Sequence, residues 1–228
     1  MILPRRHPSQ SARQKQNWDR ITFLDEPCCY ACGRPFEYDQ GKSARCAGCG
    51  VNPPVYDQAR SAILYNENSA PFILSFKHGG RTQYLDAFAR QMHRAGRQFW
   101  PRADLILPVP LHPTRLVQRK FNQAALLAKR LAAITGVEYN SDLLFRHKAT
   151  PSQGIRTAKG RRRNVQGAFS IADQARPLVK KKTVILIDDV LTTGATLDSC
   201  ARPLRRAGAE QIFVVTLARV VRDIEIPT

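Results

Sequence analysis

Nine consecutive residues, Asp188-Asp189-Val190-Leu191-Thr192-Thr193-Gly194-Ala195-Thr196, limit what this chain can fold into more than any other feature. An apolar run, Val184 to Ile187, precedes them, and a helix-like segment from about Leu197 follows. Four β-branched or Leu residues read as a short buried strand. The two carboxylates then sit at its carboxyl end, and the small hydroxyl and glycine residues open the next helix. Thr193-Gly194-Ala195 lets the main chain come close to an anion, whose charge is held by the free amides and positive dipole end of the helix. The Thr hydroxyls donate to its oxygens. Ionised carboxylates only accept hydrogen bonds, so Asp188 and Asp189 suit sugar hydroxyls or a hydrated Mg²⁺ beside the phosphate. A pentose phosphate satisfies both halves of the pattern; a tight strand-to-helix turn with two exposed acids and a Thr cap is the plainer alternative.

A chain of 228 residues with 43% hydrophobic content can bury one ordinary core with a small module attached. No apolar run approaches the ~20 residues that cross a bilayer. Met1-Ile2-Leu3-Pro4-Arg5-Arg6 lacks the apolar centre of a secretory signal. A cytoplasmic protein without membrane insertion is therefore expected. The net charge of +18 and a pI near 10.3 draw polyanions: nucleic acid, anionic lipid or phosphorylated metabolites. The basic residues are dispersed, as in Arg115, Arg119 and Lys120, Lys159 and Arg161 to Arg163, Lys180 to Lys182, and Arg202, Arg205 and Arg206. Single-stranded nucleic acid fits that distribution, and so does a solvated surface; no basic motif interleaved with aromatics supplies stacking platforms.

Five of the six cysteines lie between positions 28 and 49, and they include Cys29-x-x-Cys32 and Cys46-x-x-Cys49 with thirteen residues between the pairs. Two such hairpins, with Gly33, Gly48 and Gly50 allowing tight turns, present four thiolates to one tetrahedral Zn²⁺. Disulfides compete with this reading but suit an oxidising compartment. The ion is expected to be structural, because four thiolates leave no open position for water. Cys28 is then a surplus thiol, and Cys200 a small packing residue.

Along the chain, residues 1–26 read as a basic, flexible leader, 27–52 as the four-cysteine zinc-binding module, and 53–228 as the main α/β domain. Strands are expected at Ala62 to Tyr65, Leu105 to Leu107, Phe169 to Ile171, Val184 to Ile187 and Ile212 to Leu217. Helices are expected at Pro71 to Lys77, Tyr84 to Arg94, around Ala124 to Ile134, and at Leu197 to Arg206. Their alternation implies a parallel sheet flanked by helices.

Two further constellations carry chemistry. Pro108-Val109-Pro110-Leu111-His112-Pro113, followed by Arg115, lies at the end of the Leu105 strand. Because ligands of open α/β sheets gather beyond strand carboxyl ends, this loop and the Asp188 loop can share a crevice. Arg115 offers a planar fork to an oxyanion; a Pro-rich surface turn is the alternative. Thr150-Pro151-Ser152-Gln153, with Lys159 and Arg161 to Arg163 beyond it, forms a long polar connection. It can act as a lid, as a nucleic-acid contact or as a solvated charge run.

Asp188 to Thr196 closely resembles the phosphoribosyl pyrophosphate (PRPP) motif of type I phosphoribosyltransferases. The wider pattern resembles the ComF family, which joins a type I phosphoribosyltransferase domain to an N-terminal zinc-ribbon-like module and is associated with natural competence and DNA uptake. The likeness rests on the two Cys pairs, Pro108-Val109-Pro110 with Arg115, Arg119-Lys120-Phe121-Asn122-Gln123, Thr150 to Gln153 with Arg163-Asn164-Val165, and Asp188 to Thr196. Lys120 stands where that family usually has Gly. The resemblance implies that Asp188 and Asp189 hold the ribose hydroxyls, that Thr192, Thr193, Gly194, Ala195 and Thr196 bind the 5′-phosphate, and that Mg²⁺ accompanies the pyrophosphate. Val109, Pro110, Leu111 and Arg115 are the candidates for pyrophosphate. Purine-salvage relatives use an Asp at the position of Thr192 as general base, which Thr cannot replace. Lys148, Lys159 and Arg161 are therefore the mobile-loop candidates for catalysis. Two functions follow: phosphoribosyl transfer to an unidentified acceptor, or a non-catalytic, PRPP-responsive module acting on single-stranded DNA or on a competence helicase or translocation protein.

Overall fold

In a computed structural model of the chain, which describes residues 18–78, 82–148 and 167–221, the apolar run before the paired acids becomes part of a five-stranded sheet. In chain order the elements are helix α1 (Ala47–Val51), strand β1 (Gln58–Leu64), helices α2 (Ala70–His78) and α3 (Leu85–Ala95), strand β2 (Leu105–Pro108), and helices α4 (Pro113–Arg119) and α5 (Gln123–Thr135). Strands β3 (Glu138–Tyr139), β4 (Leu144–Arg146), β5 (Phe169–Ile171) and β6 (Thr183–Leu191), helix α6 (Ala195–Arg206) and strand β7 (Gln211–Arg219) complete it. The sheet runs β1-β7-β6-β2-β3, every pair parallel. From β2 the chain moves outward to β3, and from β6 it moves the other way to β7. The order therefore reverses between β2 and β6, which is where open α/β sheets bind ligands.

Alternation along the central strands supplies two cores. Val184, Leu186, Ile212 and Val214 pack with Leu197, Cys200 and Leu204 of α6. Ile185, Ile187, Phe213 and Val215 pack on the other face with Phe76 of α2, Met92 of α3 and Leu127 of α5. Helices thus cover both faces, as a sheet with nearly continuous apolar strands requires.

Several local readings change. Phe169–Ile171 does not join the parallel sheet; it pairs antiparallel with Leu144–Arg146, a three-residue strand too short to leave a periodic signal. Residues 18–26, assigned from sequence to the flexible leader, instead bury Ile21 and Leu24. They pair with β1 through Leu24 N–H to the Ala62 carbonyl at 3.0 Å and Leu64 N–H to the Thr22 carbonyl at 2.8 Å; charged neighbours mask these apolar positions in the sequence. The Pro-rich loop after β2 turns into α4, with Pro113 in its first turn and His112 Nδ1 accepting from Thr114 N–H at 3.3 Å. Lys120 ends α4 at φ 66°. A left-handed position costs a non-glycine residue about 1 kcal/mol, which explains why glycine suits this turn and why Lys still permits it.

Candidate functional site

Strand β2 stops pairing with β6 at Pro108↔Ile187, whereas β6 continues against β7 as far as Leu191↔Arg219. Beyond Ile187 one edge of β6 is therefore unpaired among the described residues, and Asp188 and Asp189 occupy it. Successive strand residues point to opposite faces. Asp189 meets Lys77 of α2 at 3.2 Å, while Asp188 lies on the side of Cys200 of α6 and Arg146 of β4. Asp188 Oδ1 accepts from the Asp189 N–H at 2.8 Å, which fixes its rotamer. The turn after Leu191 is made by Gly194 at φ 78°, with Thr193 Oγ1 accepting from Ala195 N–H at 3.5 Å. A side chain at that φ is strained, so Gly194 lets the chain turn into α6 without a side chain of its own over the first amides of the helix.

Asp188, Asp189, Thr192 and Thr196 line one cleft of about 530 Å³ together with Val109, Pro110, Leu111 and Arg115. The two loops that the sequence set at separate strand ends thus face each other across the reversal in strand order. Lys77, Arg119 and Arg146 line the same cleft. Burial, and then the like charge of Arg119, lowers the Arg115 pKa; burial, and then Arg115, lowers that of Arg146. Such crowding of cations favours an anion between them.

The Arg119 to Gln123 stretch acts as a brace. Asn122 Nδ2 donates to the Val109 carbonyl at 3.0 Å while its Oδ1 caps α5 by accepting from Ala124 N–H at 3.0 Å. Buried Gln123 donates through Nε2 to the Lys77 carbonyl at 2.9 Å and accepts from Arg119 at 3.3 Å. One short segment therefore holds both the Val109 loop and the helix that carries Lys77.

Burial first, and Asp189 second, push the Asp188 carboxyl up to about 7 from an ordinary 3.8. Between those values the folded protein holds a proton that the unfolded chain has released, so stability falls as pH rises through that window and levels off above it. Asp188→Asn keeps the acceptor oxygen and removes the charge. The variant is expected to melt above the wild type at about pH 8, with the gap closing toward about pH 5. Melting curves at the two pH values check this; a gap of equal size at both would contradict it.

Cys29, Cys32, Cys46 and Cys49 bring their four sulfurs within 4.8 Å of one another. Cys32 and Cys46 Sγ are 3.7 Å apart, close to the ~3.8 Å edge of a tetrahedron with Zn–S bonds of ~2.3 Å. The donor set, its burial and its spacing fit a four-thiolate metal ion. Cys28 lies outside the cluster, and burial pushes its thiol up; Cys200 is fully buried between α6 and the sheet. The module docks on the edge of β1. Ala59 N–H donates to the Ala31 carbonyl at 2.7 Å, and Gly33, at φ 68°, sits where a Cβ would lie 2.5 Å from the Ala59 carbonyl oxygen.

Lys148 is exposed and is not among the residues lining the cleft; its carbonyl accepts from Arg146 Nε at 3.4 Å. Lys159 and Arg161 lie outside the described residues, as do Thr150 to Gln153 and Arg161 to Val165. Lys77 and Arg146 left no functional signal in the sequence because each is a single cation, Lys77 at the end of an expected helix and Arg146 in a stretch with no motif. No helix among the described residues is long and apolar enough to cross a membrane.

Residues 117–225 match the phosphoribosyl transferase domain family. The chain is similar to Competence protein F of Haemophilus influenzae, 32% identical over 198 residues and covering 85% of each protein. It is 30% identical to Competence protein ComFC of Bacillus subtilis over 84% of this chain and 77% of that one. It is 28% identical to the DNA utilization protein YhgH of Escherichia coli, over 89% and 88% respectively.

Proposed function

Because the chain belongs to the competence protein F family of phosphoribosyltransferase-domain proteins, we propose that its cleft binds PRPP with Mg²⁺ and that the protein serves DNA uptake in natural competence. The observation that carries this reading is the convergence of both carboxylates, the Thr192 and Thr196 hydroxyls, the Val109 to Leu111 loop and Arg115 on one cleft. Asp188 and Asp189 accept from the ribose hydroxyls, with Asp189 exchanging its contact to Lys77 for one to the sugar. Thr192 to Thr196 take the 5′-phosphate at the start of α6. The main chain of Val109 to Leu111, pinned by Asn122, and the Arg115 fork take the pyrophosphate. Mg²⁺ neutralises part of the pyrophosphate charge. Zn²⁺ in the four-thiolate centre contributes folding energy and leaves no position open for water. Lys148, Lys159 and Arg161 are the loop residues proposed to act on a bound acceptor, and the protein works in the cytoplasm.

A second reading, a PRPP-responsive module that binds single-stranded DNA or a competence helicase or translocation protein without turnover, is favoured by the net charge of +18. The names of relatives, Competence protein F and DNA utilization protein, are consistent with both. Calorimetric titration of the zinc-loaded protein with PRPP and Mg²⁺, with and without a short single-stranded oligonucleotide, tests them together. Saturable PRPP binding is expected, and a changed affinity in the presence of DNA would reveal coupling between the ligands. Absence of PRPP binding under both conditions would remove the proposed site.

A further inference from the structure

Arg219 closes β7 with 8% of its surface exposed. A guanidinium stays charged in proteins, so burying one calls for a nearby anion. Among the described residues no Asp or Glu forms an ion pair with it. Its Nη1 donates to the Cys32 carbonyl at 2.6 Å and its Nη2 to Cys32 Sγ at 3.2 Å; its Nε is buried with no partner among the described residues. Four thiolates around one divalent ion leave two net negative charges. That centre, whose Cys32 sulfur Arg219 already contacts, supplies an anion to a guanidinium that no Asp or Glu among the described residues pairs with.

The same residue reaches the phosphate loop through the backbone. Arg219 is in register with Leu191, the Val220 N–H donates to the Leu191 carbonyl at 2.9 Å, and Thr192 follows directly. Cys32 and Cys49 share a cleft of about 160 Å³ with Thr192, Thr193 and Gly194, and Arg219 lines it too. A doubly negative centre this close to a phosphate site lies well inside the Debye length, and it would repel the ligand if left uncompensated.

We infer that Arg219 is a positioning residue that serves as counter-cation to the four-thiolate metal centre and shields the phosphate loop at Thr192 to Thr196 from that centre's charge. The second half rests on the proposed phosphate role of that loop; the first does not. The arrangement predicts a split between charge and geometry. Lys at this position keeps the positive charge and loses the guanidinium fork, whereas Met loses both.

The test uses the full-length, zinc-loaded wild type with Arg219→Lys and Arg219→Met. Zinc release to a chromophoric chelator and ribose 5-phosphate affinity are measured in each, along with the thiolate charge-transfer band of the Co²⁺-substituted form. In Arg219→Met, zinc release is expected to accelerate about 10- to 100-fold, as when an outer hydrogen bond to a metal ligand is lost. Ribose 5-phosphate affinity is expected to fall about tenfold, with part of the loss recovered in high salt. In Arg219→Lys, zinc release still quickens and the charge-transfer band shifts, while ribose 5-phosphate affinity stays within about threefold of wild type. If Arg219→Met does not fold, this split in Arg219→Lys decides the matter. Unchanged zinc release in the variants overturns the counter-cation role. Faster release with ribose 5-phosphate affinity unchanged in Arg219→Met, or reduced alike in both variants, overturns the shielding role. A wild type that does not bind ribose 5-phosphate overturns the phosphate role of Thr192 to Thr196 and the shielding with it, and zinc release still decides the role at the metal.

Discussion

Asp188→Ala combined with Asp189→Ala is expected to abolish PRPP binding while leaving zinc content unchanged. A hydrogen bond to a charged acceptor contributes about 1.5–3 kcal/mol. Losing both carboxylates at a ribose then weakens binding by roughly two to four powers of ten, which takes an ordinary ligand affinity out of measurable range. The loss does not require unfolding. Asp188 is a carboxyl pushed up to about 7 by burial and by its neighbour, so removing it relieves an unfavourable charge, and β6 keeps its main-chain pairing with β7. Lys77 loses its partner, but it lines an open cleft where water can reach it. The cysteines sit on a separate module, so the metal stays. Calorimetry with PRPP and Mg²⁺, alongside metal analysis, checks both halves; unaltered PRPP affinity would overturn the assignment of the site.

The parts of this site that could be read from sequence are those that are contiguous in it. Asp188 to Thr196 supplies carboxylates, hydroxyls and a left-handed glycine within nine residues, and the order strand, acids, turn, helix has few other physical uses. The parallel sheet was legible because strands and helices alternate. The strand order was not, since it depends on which edges meet, and so the facing of the Val109 and Asp188 loops could be argued only as something an open sheet permits. Lys77, Arg146 and Arg219 arrive from three different elements and show no pattern of their own. Arg219 did leave a trace: a charged residue at the end of the otherwise apolar run Ile212 to Ala218, broken only by Thr216, is a residue that must find an anion. The Arg119 to Gln123 stretch was visible only as a likeness, and its work as a brace between α2, α5 and the Val109 loop emerges from the hydrogen bonds.

Stripping the metal, by chelation or by Cys49→Ser, is expected to unfold the cysteine module while the sheet stands. The module's own core consists of Cys29, Ala31, Cys32 and Cys49, with Phe36 and Cys46 against it, so almost nothing but sulfur and methyl groups is buried there. Structural zinc in such settings is worth about 10–16 kcal/mol, far more than those few groups can supply. The two large cores lie on the faces of the sheet and are built from other residues. Opening is therefore local: limited proteolysis should cut within residues 27–52 only after zinc is removed, with most of the far-ultraviolet circular dichroism retained. A chain that resists cleavage without its metal would mean that the pairing of Ala31 with Ala59 suffices to hold the module. Arg219 gives the reason to expect otherwise. Without the ion nothing binds the four cysteines to one another, and separation of the module lets water reach the buried guanidinium of Arg219, so it becomes the lower-energy state.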